Sequence, residues 1–143
     1  MTPPQLKKAL VSAGFEVFRT LSDEIVLAER VRENLILDSG VRVQSSGDDS
    51  FVIKVVLRAE RRDFPHDDEA ALFARVRKLA SPATAQGFAE TATQITQVKD
   101  PSDPEKTLDT FFEVIHTKAV DGSLDSLASE IRAALSFEKA AGS

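Results

Sequence analysis

The chain of 143 residues contains no cysteine, no tryptophan and no tyrosine. Without cysteine it cannot form disulfides, thiolate-bound zinc sites, iron–sulfur clusters or a thiol nucleophile. Carbohydrate platforms and base-stacking clefts usually use tryptophan or tyrosine, so the absence of both weighs against those ligands. We therefore predict a protein that holds no cofactor and no metal ion.

The chain also lacks a concentration of positive charge. Its 18 lysine and arginine residues are interleaved with 23 acidic residues, and the formal net charge is -5. The densest basic stretches, residues 58–62 and 75–78, are flanked by aspartate and glutamate. Because nucleic-acid binding needs a basic surface, we predict no nucleic-acid partner.

Long apolar runs are missing as well. No run approaches the ~20 residues that a membrane-spanning helix needs. Residues 1–5 offer no charged segment that leads into an apolar stretch, as a secretory signal would. We expect a cytoplasmic protein with no membrane partner.

The composition is that of a globular protein, with 42% hydrophobic and 29% charged residues. At roughly 100 to 200 residues per domain, a chain of this length predicts one domain. We assign this domain to residues 1–143 and predict that residues 138–143 form a flexible tail.

Three helices are indicated by capping residues and apolar stripes. The first begins at the capping box of residues 2–5 and ends near Ala13. The second is capped by Asp67 or Asp68, and the last begins at Ser123 and carries a regular apolar stripe.

Two interpretations of residues 22–43 remain open. As a helix, the segment is capped by Ser22 and places Leu27 and Val31 on one stripe. As two strands, it turns at residues 33–34 and continues with apolar residues that alternate up to Val43. The alternation favours two strands.

Further strands follow from alternating or β-branched segments. Residues 51–60 alternate between apolar and charged side chains, which indicates a half-buried antiparallel strand. Residues 88–98 and 108–120 are predicted to pair as a hairpin with a long acidic loop at residues 100–105, since its prolines cannot continue a strand. The predicted fold is α+β, with one antiparallel sheet and three helices, in the order helix, three or four strands, helix, two strands, helix.

Candidate chemistry is sparse. His66 lies among aspartates at the start of the second helix, where acidic residues serve as caps, so we predict no metal site there. His116 and Glu113 have opposite parity on a strand and cannot converge locally. No glycine-rich phosphate loop or nucleophile elbow is present. We assign no catalytic residue and predict that the chain is not an enzyme.

The second helix carries a wide apolar arc, which indicates either deep burial within one domain or a helix that contacts a partner as well as its own core. On the second interpretation we predict that the helix contributes contacts to a partner, either another polypeptide or a second copy of the chain. The predicted partner-binding residues are Leu72, Phe73, Val76 and Leu79.

The order of elements resembles the type III secretion chaperone-like fold and its YbjN relatives. The resemblance rests on the early helix that runs into residues 14–17, the strand at residues 51–60, the helix around residues 72–79, and the closing hairpin and helix. It implies a small bacterial protein, often a homodimer, that binds another polypeptide as a chaperone or adaptor and catalyses nothing.

A function of another class remains open. The chain contains nine phenylalanines, and a sheet face rich in their rings could enclose an apolar ligand. On this hypothesis the protein is a small-molecule-binding α+β domain with a Phe-lined pocket.

Overall fold

The computed structural model describes residues 1–142 and contains four helices and six strands. The helices are α1 (Pro3–Ser12), α2 (Glu69–Leu79), α3 (Ser81–Ala85) and α4 (Leu124–Ser136). The strands are β1 (Val17–Thr20), β2 (Ile25–Arg32), β3 (Leu35–Gly47), β4 (Ser50–Glu60), β5 (Ala89–Asp100) and β6 (Asp103–Asp121).

The strands form one antiparallel sheet in the order β1-β2-β3-β4-β6-β5, so the predicted α+β class is confirmed. The predicted number of helices was too low by one, because residues 81–85 form a separate short helix. Ala80 caps the end of α2 and the start of α3, and Pro82 suits the first turn of the new helix.

The chain forms two compact units, and β4 and β6 each contribute residues to both. The first unit contains residues 1–55 and 117–137, and the second contains residues 56–116 and the residues from Glu138 onward. The prediction of a single domain over residues 1–143 stays a prediction.

In the first unit, helices α1 and α4 pack their apolar stripes against the strands. The Thr2 side chain accepts a hydrogen bond from the Gln5 N–H, and the Gln5 side chain accepts one from the Thr2 N–H, so the predicted capping box is formed. Ser123 caps α4 as expected. The core residues of this unit include Leu6, Leu10, Val41, Val43, Phe51, Ile53, Leu127 and Ile131.

The second unit is built around α2, α3, β5 and parts of β4 and β6. Asp68, one of the two predicted caps, begins α2 by accepting a hydrogen bond from the Ala71 N–H at 2.7 Å. The alternation predicted for β4 is confirmed, since its odd-numbered residues from Phe51 to Ala59 are buried. The core of the second unit includes Leu57, Leu72, Val76, Phe88, Phe112 and Val114.

Residues 22–43 form two strands and no helix. The turn falls at residues 33–34, where the alternation placed it, and β2 pairs with β3 from Ile25 opposite Val43 to Arg32 opposite Leu35. Gly40 has a φ of 81°, a conformation that glycine adopts without strain, and lies in the stretch of β3 that passes from exposed to buried residues.

The hairpin of β5 and β6 differs from the prediction in its loop. The long acidic loop is absent, because β5 continues to Asp100 and β6 resumes at Asp103. The Asp100 side chain accepts hydrogen bonds from the N–H and the hydroxyl of Ser102, which closes a tight turn. Pro104 lies within β6 near the exposed end of the hairpin.

The segment after α4 is bound to β4, whereas the sequence predicted a flexible tail over residues 138–143. The Arg58 N–H donates to the Lys139 carbonyl at 2.8 Å, and the Ala141 N–H donates to the Arg58 carbonyl at 2.9 Å. Ala141 is buried. Residues 139–141 are therefore held by backbone pairing, and Ser143 lies outside the described residues. No helix within residues 1–142 combines the length and apolarity that crossing a membrane requires.

Candidate functional site

Two of the four predicted partner-binding residues on α2 belong to the core of the second unit. Leu72 and Val76 are each 0% exposed. In this structure their side chains offer no surface to a partner, and partner binding by these two residues stays a prediction. These two residues belong to the apolar stripe of the helix, and an amphipathic helix turns its apolar stripe toward the core.

Phe73 and Leu79, the other two predicted residues, are half-buried. The Phe73 ring packs edge to face against Phe112, with ring centroids 5.7 Å apart. The guanidinium of Arg77 lies 5.8 Å from the centre of the Phe73 ring. Contact with a partner remains a prediction for Phe73 and Leu79.

Arg77 also joins α2 to β5 through a charged pair. Its Nε and Nη2 atoms donate to the two carboxylate oxygens of Glu90 at 2.9 and 3.2 Å. This hydrogen bond lowers the pKa of Glu90 and raises the pKa of Arg77. Both side chains are substantially exposed, so the pair contributes little stability.

His116 is a buried imidazole close to this pair. Its side chain is on β6 and the residue is 3% exposed. Burial lowers the pKa of His116, and the opposing attraction of Glu90 is weaker. Nδ1 has no hydrogen-bond partner among residues 1–142.

Glu113 is engaged elsewhere, as its parity on β6 predicted. Its Oε1 atom accepts hydrogen bonds from Gln94 Nε2 at 3.1 Å and from Thr96 Oγ1 at 2.5 Å. His116 and Glu113 therefore do not form a hydrogen-bonded acid–base pair.

Two of the three aspartates around His66 serve structural roles. Asp68 caps α2, and Asp67 binds the Arg75 guanidinium at 2.6 Å. Among residues 1–142, no group of three or more histidine, aspartate or glutamate side chains is arranged to hold a metal ion.

The sequence interpretation missed an exposed apolar surface at the end of the β2–β3 hairpin. We call residues 29–37 the hairpin arm. β1 pairs with β2 only as far as Leu27, and β4 pairs with β3 from Val41 onward, so no strand within residues 1–142 flanks the arm. All nine arm residues are exposed. Four of them are large and apolar: Val31, Leu35, Ile36 and Leu37.

Arg30 links one side of the arm to Glu16 in the first unit. Its Nε and Nη2 atoms contact the two carboxylate oxygens of Glu16 at 2.7 and 2.9 Å. Its Nη1 atom donates to the Glu33 carbonyl at the turn. The hydrogen bonds between Arg30 and Glu16 lower the pKa of Glu16 and connect the arm to the chain just before β1.

A second surface missed from the sequence is the outer edge of β5. This strand ends the sheet order, and β6 is its single strand neighbour within residues 1–142. Residues 89–97 are all exposed. The threonine- and glutamine-rich composition of β5 was visible in the sequence, but its place at the edge was not.

Two surface pockets lie in the first unit, and neither is lined by phenylalanine. The larger has a volume of about 590 Å³ and lies beside the start of α4, where Lys118 and Glu130 pair at 2.8 Å. The smaller has a volume of about 210 Å³ and lies beside α1. The Phe-lined ligand pocket therefore remains a prediction.

No protein-family model and no curated protein matches the chain. Among solved structures, the chain is similar to the crystal structure of an uncharacterized protein from Methanothermobacter thermautotrophicus. The two share 13% sequence identity at a TM-score of 0.46, over 94% of this chain and 89% of that chain. This likeness assigns neither a fold family nor a function.

Proposed function

We propose that this chain is a non-catalytic protein-binding module, chaperone- or adaptor-like, that contacts apolar segments of another polypeptide. The observation that carries the proposal is the hairpin arm, which exposes four large apolar side chains within nine residues. The proposal keeps the expectation of a cytoplasmic protein.

Exposed apolar residues are informative when they are clustered. A single exposed leucine is ordinary, but several large apolar side chains exposed within a short segment indicate an interaction site. In the arm the exposed fraction is 53% for Val31 and 46% for Leu37. Across the ribbon, Glu29, Arg30 and Arg32 lie opposite Leu37, Ile36 and Leu35, so charged side chains border the apolar ones on each face.

The position of the arm also suits binding to extended chains. Since no strand within residues 1–142 flanks it, both faces and both edges of the two-stranded ribbon are accessible. The Arg30–Glu16 pair links the ribbon to the residue just before β1. A hydrogen-bonded ribbon loses less conformational freedom on binding than a disordered loop does.

The suggested relation to the type III secretion chaperone-like fold remains part of the proposal. It is supported by the order of elements, in which a helix precedes four strands, and a helical pair, two strands and a final helix follow.

The proposal is tested with a defined unfolded polypeptide. Reduced and alkylated α-lactalbumin, labelled with a fluorophore, cannot refold and exposes apolar segments. Its binding to the full chain is measured by fluorescence anisotropy. We expect saturable binding that Ile36→Lys and Leu37→Lys each weaken at least about tenfold, because each buries a charge in the contact.

The matched control is Val11→Lys, which changes an exposed apolar residue of α1 in the same unit. It should bind the probe as the wild-type chain does, and all three variants should keep the wild-type thermal unfolding midpoint because their side chains are exposed. Absence of binding by the wild-type chain, or equal binding by arm and control variants, would refute the proposal.

A further inference from the structure

The structure also presents an unpaired strand edge of unusual length in the second unit. β5 has twelve residues, about twice the length of an average strand. Alternate residues of an edge strand direct their N–H and C=O groups outward, so the free edge offers about six residues for pairing.

The middle of β5 lacks the features that normally prevent strand addition. Natural edge strands are protected by charged residues, proline or a covering segment. Residues 91–98 read Thr-Ala-Thr-Gln-Ile-Thr-Gln-Val and contain no charge and no proline. In β4, by contrast, the backbone N–H and C=O groups of Arg58 are covered, because they pair with residues 139–141 of the same chain.

We propose that β5 is a self-association site, at which the β5 strand of a second copy pairs antiparallel about a two-fold axis near Gln94. In this register Glu90 lies opposite Val98 and Lys99 lies opposite Ala89 of the second copy, so no like charges face each other. Thr93 lies opposite Ile95, and such β-branched pairs stabilise antiparallel sheets.

Pairing with a second copy fits this edge better than pairing with an unrelated peptide. Strand addition of a foreign peptide gains its specificity from pockets that receive alternate side chains. In the register proposed here, specificity comes instead from the side chains of β5 itself, since Thr93 lies opposite Ile95 and no like charges face each other. Two paired β5 strands would form about ten backbone hydrogen bonds, the number found in an average protein interface.

The experiment uses the full chain and places charges at the centre of the edge. Ile95 is 48% exposed and adjoins the proposed two-fold axis. Sedimentation equilibrium from micromolar to near-millimolar concentration should show a monomer–dimer equilibrium for the wild-type chain. Ile95→Lys and Ile95→Glu should each raise the dimer dissociation constant at least about tenfold, because the two copies of residue 95 are diagonal neighbours across the axis and would carry like charges.

Two further samples separate a direct effect from a loss of folding. An equimolar mixture of Ile95→Lys and Ile95→Glu should restore the dimer, because opposite charges then meet. Leu108→Lys should dimerise as the wild-type chain does, since Leu108 is 51% exposed but lies on β6, away from the edge.

If the wild-type chain stays monomeric at every concentration, the proposal is wrong. The free edge of β5 would then be available for pairing with a strand of another protein. A dimer that both Ile95 variants leave intact also overturns the proposal, because association then uses another surface. Neither result depends on the hairpin arm, so this proposal and the proposed function fail independently.

Discussion

Phenylalanine rings in the second unit serve as platforms for arginine side chains. The guanidinium of Arg75 lies 4.1 Å from the centre of the Phe64 ring, and that of Arg58 lies 4.5 Å from the centre of the Phe111 ring. Such cation–π contacts are attractive and cover a ring face. The sequence suggested a ligand or a partner for these rings, but it could not show that arginines from other segments would pack against them.

Phe73 allows the α2 prediction to be tested at a single residue. Because its ring is half-buried against Phe112, we expect Phe73→Ala to lower the free energy of unfolding by about 2 kcal/mol, less than the 3–5 kcal/mol typical of a fully buried phenylalanine. Urea denaturation measures this difference. Leu72→Ala, at a fully buried position, serves as the comparison and should cost at least as much.

The Phe73→Ala variant also tests whether Phe73 contacts a partner. If Phe73→Ala left the free energy of unfolding unchanged and weakened binding to a partner, Phe73 would be an interface residue, as the sequence predicted.

His116 should make stability depend on pH in a defined direction. Burial lowers its pKa in the folded state below the ordinary value near 6.5, so the unfolded state binds the proton more tightly. The contribution of His116 to stability is therefore complete above about pH 7 and is lost as the pH falls through the ordinary pKa toward the folded one.

The measurement is urea denaturation between about pH 7.5 and 5.5, a range above the ordinary pKa values of aspartate and glutamate. We expect the free energy of unfolding to fall with pH for the wild-type chain and to change less for His116→Gln, which does not titrate. An equal slope for both proteins would contradict the assignment.

At the level of elements, the β2–β3 hairpin shows what local pattern can predict. The alternation of apolar residues identified both strands and the turn at residues 33–34, and these predictions were confirmed. Leu35 and Leu37 share the parity of Val41 and Val43, yet they are exposed whereas Val41 and Val43 are buried. Burial in a sheet depends on the neighbouring strands, and neither β1 nor β4 extends along the arm.

The C-terminal segment gives a further prediction at this level. Deletion of residues 138–143 removes two backbone hydrogen bonds to Arg58 and exposes the surface that Ala141 covers. We expect the free energy of unfolding to fall by about 1–3 kcal/mol, since each hydrogen bond contributes about 1 kcal/mol.

Urea denaturation of the deleted chain measures this loss. Glu138→Ala is the control, because it changes an exposed side chain and keeps the backbone, and it should unfold like the wild-type chain. Equal stability of the shortened and full chains would restore the prediction of a flexible tail.

At the scale of the whole molecule, the sheet order explains why the two candidate surfaces could not be predicted. Consecutive strands pair from β1 to β4, and the turn between β2 and β3 was predicted, but β6 then lies between β4 and β5. Which strand of a terminal hairpin pairs with the rest of a sheet depends on long-range packing, and no local pattern encodes it. The composition of β5 therefore identified a strand but not an edge.

The two edges of the sheet differ in a way that limits how far strand addition can continue. β1 has four residues, and its pairing with β2 is irregular between Val17 and Arg19, so it offers an incoming strand little to pair with. A cross-β filament grows only when each added copy presents a new edge as good as the one it covered. At the opposite end of the strand order, a copy that docks through β5 presents β1 in return. The unequal edges therefore oppose open-ended fibre growth when the protein is concentrated.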